Sequence, residues 1–459
     1  MKRLILLPVL FAFIAGNAFS QSLDDASTPI LLNYATLQKK VAKSDAAIAH
    51  EKKKTKASTW ASRGKLFQDV DNQGLEQAQL GMDSKTLELI YGETKSKEKS
   101  DEGVETFEYE HIKYYFEGGR LRGWERTDPI HEAPLDEALR SYKKAIELTD
   151  ADKLLKFEEK IKKDLDELKE QYLRYGLNSY YLKNYSEALK SFESILTVNE
   201  FDVYNGVVDT MMINYCGITA RDIGVLSKNA GDDKKAEEMY RKAIKYYTML
   251  TELGYGGSTA FRQITGDYYA IGDTLGALKN LKRGLEVYPD SSVLVSLAAQ
   301  AYYQKKDNEG GLAFIKDRLE ARPKCAAAYY WKGLLITNEE NVEEETIKQA
   351  LALYDTSLMY NPLDGNVWYQ SGYVNYAVGQ NYFEQEGYEE DPEFRAELNT
   401  KGKEYYKEAV EKLEKTYEVA DGSVVLMRES LDLLKRIYYK LYGNEDSRYQ
   451  SVVDRMNAM

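Results

Sequence analysis

Along residues 261–289, FRQITGDYYAIGDTLGALKNLKRGLEVYP, apolar and small side chains recur at helical spacing in two short runs divided by a polar turn. Phe261, Tyr268 and Tyr269 mark a first helix, Gly272-Asp273 the turn, Ala277, Leu281 and Gly284 a second helix, and Pro289 its end. The pattern predicts a helical hairpin. It returns in phase at Tyr172, Gly176, Tyr180, Ala188, Phe192 and Ile195, and at Gly224, Gly231-Asp232, Ala236, Tyr240 and Ala243. It returns again at Tyr302, Tyr303, Gly311, Ile315 and Pro323, and at Tyr329, Gly333, Ala350, Tyr354 and Pro362. Small residues at these places predict close helix crossings, because Gly or Ala lets two backbones approach where a larger side chain would overpack them.

Two hairpins are interrupted. Trp60, Gly64 and Phe67 open one whose second helix arrives only at Ala138, Tyr142 and Ala145. Gly64 to Ala138 covers 74 positions where Gly176 to Ala188 covers 12, which predicts an insert of about 62 residues. Trp368, Gly372 and Tyr376 are likewise separated from Ala409 and Leu413 by an acidic stretch, 384–397, predicting long helices that turn near Asp391-Pro392. A helix over 31–53 and helices over 426–442 and 449–456, with Gly443 as a stop, read as caps at the two ends, and 151–170 reads as a charged connecting helix.

The Trp-x-x-x-Gly start, the recurring small and aromatic positions and the closing Pro resemble the tetratricopeptide repeat family, whose period is about 34 residues. The resemblance implies an all-α protein, an α-solenoid of about seven helical-hairpin repeats in a right-handed superhelix. The expected division is a signal peptide over 1–20, a capping helix and first repeat helix over 21–77, and an inserted module over 78–126. Completion of that repeat with the connecting helix follows over 127–170, then the main solenoid over 171–420 and terminal caps over 421–459.

Within the insert, Ser84 before Leu87 and Ile90 predicts a short capped helix that Gly92 stops, and a charged loop over 95–102 follows. Phe107 and Tyr109, then Ile112, Tyr114 and Phe116, then Leu121 to Trp124 after Gly118-Gly119 predict a three-stranded antiparallel meander. Gly81-Met82, Gly92, Phe107-Glu108-Tyr109 and Phe116-Glu117-Gly118-Gly119-Arg120-Leu121 resemble the small outer-membrane lipoprotein family SmpA or BamE, which accompanies the β-barrel assembly machinery. That resemblance implies a separable α+β docking module for an outer-membrane complex. Phe107, Tyr109, Tyr115 and Trp124 are its candidate docking residues, with Tyr115 and Trp124 exposed or against the repeats.

Composition narrows the function. Of the aromatic residues 38 are Tyr, a ring with a polar end that suits an elongated protein of little interior. A net charge of −13 with no basic stripe argues against nucleic acid or an anionic membrane as partner. Met1-Lys2-Arg3, the apolar run from Leu4 to Ala15 and Ala18-Phe19-Ser20 read as an export signal cleaved before Gln21, placing the chain in a periplasm. No Cys follows that run, so neither a lipid anchor nor membrane insertion of the mature chain is expected. Cys216 and Cys325 read as unpaired helix residues.

No catalytic constellation is expected. His50, His111 and His131 stand apart from any Cys or Ser motif, two isolated Cys do not make a zinc site, and no phosphate-binding Gly loop follows a strand. No catalytic residue, cofactor or metal is therefore assigned.

In the resembled family, the exposed stripe on successive first helices lines the inner surface and touches ligand. Here that stripe comprises Leu173, Leu177, Tyr180, Tyr181, Arg221, Arg262, Tyr269, Gln300, Tyr303, Gln304, Tyr330, Asn338, Tyr369, Tyr373 and Tyr376. Flat rings beside Arg and Gln suit an extended polypeptide, giving contact area together with polar ends for backbone groups. The expected function is a periplasmic scaffold for envelope or outer-membrane assembly and secretion proteins. A glycan-binding protein of a polysaccharide system and an accessory subunit of an envelope enzyme are the alternatives.

Overall fold

The computed structural model describes residues 33–338, 342–420 and 422–459. The export segment and its cleavage before Gln21 lie outside the described residues. The chain divides between Met212 and Ile213 into two compact units.

The N-terminal unit begins with α1 (Tyr34–Ala49) and α2 (Ala57–Asn72), and α2 pairs with α4 (Pro134–Glu147) across the intervening insert. Close approach explains the sequence there. A Cβ at Gly64 would lie 2.7 Å from the ring of Tyr142, nearer than real side chains come, so Gly64 is the seat for that ring. Arg63 and Glu137 form a buried ion pair across the same helices, and the Tyr142 hydroxyl donates to Gln68. The pair α5 (Leu154–Tyr181) and α6 (Tyr185–Asn199) repeats the device, with Gly176 under Phe192. The connecting helix expected over 151–170 is no separate element. Ile161, Leu165, Leu168 and Tyr172 run at spacings of four and three along one continuous helical face, and nothing between them breaks α5.

The insert contains α3 (Ser84–Tyr91), capped by Asp83 rather than by Ser84, since the Asp83 carboxylate accepts from the Thr86 backbone N–H at 2.9 Å. A four-stranded antiparallel sheet follows, ordered β1 (Ser96–Lys99), β2 (Glu105–Glu108), β3 (Ile112–Glu117) and β4 (Arg120–Arg126). The expected meander had three strands. The fourth, Ser-Lys-Glu-Lys, comes from the stretch read as a charged loop: Lys97 to Lys99 are exposed, and beside the backbone ladder Lys99 pairs with Glu105 at 3.0 Å and the Ser96 hydroxyl donates to Glu108 at 3.2 Å on β2. Charged edge residues of this kind discourage further strand addition. Leu87, Phe107, Ile112, Tyr114, Phe116, Leu121 and Trp124 form the core of the insert.

The C-terminal unit takes up most of α7 (Thr210–Asn229) and then α8 (Asp233–Glu252), α9 (Gly257–Ala270), α10 (Thr274–Val287), α11 (Ser292–Gln304) and α12 (Asn308–Ala321). It continues with α13 (Ala326–Ile336), α14 (Glu344–Tyr360), α15 (Gly365–Tyr388), α16 (Pro392–Val419), α17 (Val424–Tyr442) and α18 (Ser447–Asn457). Helices pair in chain order, which is the all-α repeat architecture with an inserted α+β module that the hairpin pattern implied. Gly333 seats Tyr354, whereas the equivalent crossing in α11 and α12 uses Ala298, Ala299 and the smaller Ile315, so a larger seat faces a smaller knob. Asp391 caps α16 just before Pro392 at its first turn, as the sequence indicated.

Three hairpin turns, α7–α8, α9–α10 and α11–α12, share one construction, a left-handed residue followed by a capping Asp. Gly231-Asp232 and Gly272-Asp273 use glycine, whereas Lys306-Asp307 holds a lysine at φ 56°. A non-glycine residue there costs roughly 1–2 kcal/mol. Lys306→Gly should therefore raise the stability of the C-terminal unit by about 1 kcal/mol in urea unfolding; a loss would show that the Lys306 side chain holds the turn. At Gly311 an added Cβ would lie 2.8 Å from Leu335 and 3.0 Å from Tyr302. Gly311→Leu should lose about 1–3 kcal/mol through overpacking, and an unchanged melting temperature would contradict this crossing.

Candidate functional site

In the C-terminal unit, α9, α11 and α13 are first helices of successive hairpins and contact one another directly. That adjacency places several sequence-derived positions on neighbouring elements. Arg262 on α9, Gln300 and Gln304 on α11 and Tyr373 on α15 are exposed, while Tyr269, Tyr303, Tyr330 and Tyr369 are half-buried between them. Tyr303 meets Trp331 edge to face with ring centroids 6.1 Å apart, and Tyr369 stacks on Tyr373 at 6.3 Å. Burial pushes the Tyr330 phenol up to about 12, as expected of a ring set into the repeat contact with its edge showing.

Three of the expected contact residues are occupied within the fold. Arg221 makes a two-pronged ion pair with the buried carboxylate of Asp267, at 2.6 and 2.8 Å, and also donates to the Gln263 carbonyl. Its charge is spent joining α7 to α9. Tyr376 is 9% exposed and stacks on Tyr406, so it belongs to the core between α15 and α16. Asn338 donates to the Tyr303 carbonyl at 3.1 Å and to Asn308 at 3.0 Å, which ties the end of α13 to the α11–α12 hairpin.

Sequence reasoning missed Gly266, one turn after Arg262 on the exposed face of α9. A Cβ there would meet nothing within 4 Å, so no neighbour in the fold requires a glycine. It leaves bare backbone in the middle of the candidate surface. Gly266→Ala should stabilise the unit by about 0.5–1 kcal/mol in thermal unfolding, and a loss of stability would mean a neighbour does occupy that space.

In the N-terminal unit the insert packs against the C-terminal end of α5. Asn178 clasps the β4 backbone, accepting from the Trp124 N–H at 2.8 Å and donating to the Trp124 carbonyl at 3.1 Å. Tyr181 lies on Gly123, whose missing side chain makes room for that ring, and Tyr180 packs edge-on against Tyr185. The expected exposed docking rings are corrected accordingly. Phe107 and Trp124 are buried in the insert core and Tyr109 is half-buried, its hydroxyl donating to the Gly92 carbonyl. The reason lies in the register: Tyr115 pairs with Gly123 but Phe116 with Leu121, so Arg122 is an extra residue that swings Leu121 and Trp124 onto the same face. Tyr115 remains on the other face, its hydroxyl donating to Glu125 at 2.7 Å, and burial followed by this bond raises its phenol to about 12.

The remaining α5 positions, Leu173 and Leu177, line an open cleft of about 390 Å³ whose opposite wall is Ala78, Gln79 and Leu80 at the entry to the insert. Beneath it runs a polar network. Arg174 donates to the Leu75 carbonyl, to Asn72 at 2.7 Å and to Asp71 at 3.3 Å, and Gln171 bonds Gln68 at 2.9 Å. Nothing local in the sequence marks Ala78 to Leu80 as facing α5, about a hundred positions away. A second hollow of about 460 Å³ lies beside Trp60, where Arg140 is paired with Glu137 and Lys144 with Glu147.

Among the described residues, no three His, Cys, Asp or Glu side chains converge to hold a metal ion, and no helix is long and apolar enough to cross a membrane. Cys216 is buried and Cys325 half-buried at the start of α13, and the two are not joined in a disulfide.

The fold and these surfaces define a helical-hairpin repeat protein with an inserted α+β module. No family profile and no curated protein matches the chain. Solved structures similar to it include a monomeric mutant of IFIT1 with Gppp-AAAA, at 12% identity and a TM-score of 0.37, covering 72% of this chain and 66% of that one. A tetratricopeptide repeat protein from Parabacteroides merdae is similar at 13% identity and a TM-score of 0.36, over 63% of this chain and 93% of that one. A TPR repeats protein from Bacteroides fragilis is similar at 15% and 0.29, over 58% and 97%. This chain thus spans just under two thirds of the IFIT1 chain. At such TM-scores the fold assignment rests on the hairpins themselves.

Proposed function

We propose that the chain is an exported, non-enzymatic scaffold that holds an extended segment of a partner protein in the cell envelope. The observation that carries this reading is the run of exposed Arg262, Gln300 and Gln304 on two adjacent first helices, with Tyr269, Tyr303 and Tyr330 half-buried beside them. Polar ends beside half-buried rings on two adjacent repeats offer partners for the backbone groups and side chains of an extended chain. The charged, apolar and small-residue order of the first 20 residues supports export, and the acidic balance favours protein over nucleic acid. Tyr115, half-buried on the sheet face that carries Gly123, is the candidate docking ring left outside the insert core and the group with which the module would meet an outer-membrane assembly partner.

A glycan-binding reading is favoured by one feature, the hollow in which Trp60 sits among the charged side chains of Asp136, Arg140, Lys143, Lys144 and Glu147. Pull-down from solubilised envelope with the full chain separates the two. Retention of a membrane protein by the wild type and its loss with Arg262→Glu and Gln300→Lys is the expected result. Calorimetric binding of an oligosaccharide that Trp60→Ala abolishes, with no protein retained, would overturn the scaffold reading.

A further inference from the structure

The cleft between α5 and the strand-ward segment at Ala78 to Leu80 is selective in charge. Its apolar walls are Ala78, Leu80, Leu173 and Leu177. Its one cation is already balanced within the fold: the Arg174 guanidinium donates through Nη1 to the Leu75 carbonyl and through Nη2 to Asp71 and Asn72, with Asp71 as its counter-charge. Of its two carboxylates, Glu167 is held by Lys65 at 2.6 Å. Glu170 is exposed at the rim and has no hydrogen bond or ion pair among the described residues.

We propose that this cleft is the anchor site for the partner, taking one large apolar side chain between Leu177 and Leu80 with an adjacent Lys or Arg on Glu170. The inference rests on the protein-binding reading above and specifies the chemistry of the segment bound. At about 390 Å³ the cleft falls at the small end of ligand sites, which run from about 300 to 1,000 Å³. That suits a single anchoring side chain better than a cofactor. Too few uncommitted polar groups converge in it to orient a small polar metabolite, since Asn72, Gln171 and Arg174 already bond one another or their neighbours. Charge complementarity selects a basic segment twice over: Glu170 meets it at the rim, and a net charge of −13 draws it in from solution.

The test is selection of random peptides displayed on phage against the full chain, followed by fluorescence anisotropy with the best synthetic peptide. Enriched peptides should carry Phe, Leu, Met or Trp beside Lys or Arg. Glu170→Lys should weaken that peptide about tenfold, and changing the peptide's basic residue to Glu should restore binding to Glu170→Lys. Because Glu170 is exposed and unpartnered, this variant should unfold at the wild-type urea midpoint, which keeps loss of binding distinct from loss of fold. Leu177→Glu should weaken binding similarly.

Enrichment of peptides without a basic residue, or equal affinity for wild type and Glu170→Lys, would overturn the anchor assignment and leave the protein-binding reading standing. In that case Gln300→Lys should be the variant that weakens the peptide. Failure to enrich any peptide would overturn the protein-binding reading itself, and the anchor with it.

Discussion

Asp71→Ala is expected to cost the N-terminal unit about 3 kcal/mol, the lower end of the range for breaking a buried ion pair. Asp71 is 2% exposed at the end of α2, where its carboxylate lies 3.3 Å from Arg174 and Gln171 on α5 and 3.7 Å from Arg126 on β4. One carboxylate therefore holds together a repeat helix, the next repeat helix and the insert. Removing it leaves two mostly buried guanidiniums without their counter-charge. The loss stays at the lower end because Arg126 keeps the Asp71 carbonyl and Arg174 keeps Asn72 and the Leu75 carbonyl. Asp71→Asn, which retains an acceptor for Gln171, should lose less. Urea unfolding followed by circular dichroism measures both; an unchanged midpoint for the alanine variant would mean that the insert and α5 are held by apolar contact alone.

Trp124→Ala should cost about 3–5 kcal/mol, the usual range for emptying a large aromatic site in a core. Trp124 is 2% exposed, packs with Phe107, Tyr114 and Leu121, and has Arg174 5.9 Å from its ring centre. Asn178 grips its backbone, which an alanine retains, so the loss is that of the ring. A docking residue would behave in the opposite way, losing partner binding with little change in stability. A variant that unfolds like wild type but no longer associates with an envelope partner would restore the docking assignment for Trp124.

The parts of the fold legible in the sequence were those whose signal is local and repeated. Gly64, Gly176 and Gly333 each face an aromatic ring from the paired helix, and the Gly-Asp turns recur with the same geometry, so phase alone located the hairpins. What the sequence concealed depended on partners distant along the chain. Ser96 to Lys99 has no apolar alternation and becomes a strand only because β2 supplies its hydrogen bonds. Trp124 looked exposed because strict alternation was assumed, and one extra residue at Arg122 reverses the face. The continuity of α5 was written in its spacing, but a repeat boundary was imposed at Tyr172 where no breaker stands.

The candidate surface was legible to the same degree. Exposed Arg262, Gln300 and Gln304 followed from helical phase, since residues facing away from both neighbouring helices are fixed by spacing. The committed states of Arg221 and Asn338 did not, because their partners Asp267 and Asn308 lie on other helices. Glu170 carried no mark at all; its role comes from what the insert places opposite it.

The most direct measurement of the scaffold reading is site-specific photo-crosslinking in the cells that produce the protein. A crosslinking residue placed at Gln300, exposed on α11, is compared with one at Lys316, exposed on α12 away from the first-helix stripe. The account predicts a discrete protein adduct from position 300 that is absent from position 316 and disappears when Arg262→Glu is added. Equal adducts from both positions, or no protein adduct from position 300, would contradict it.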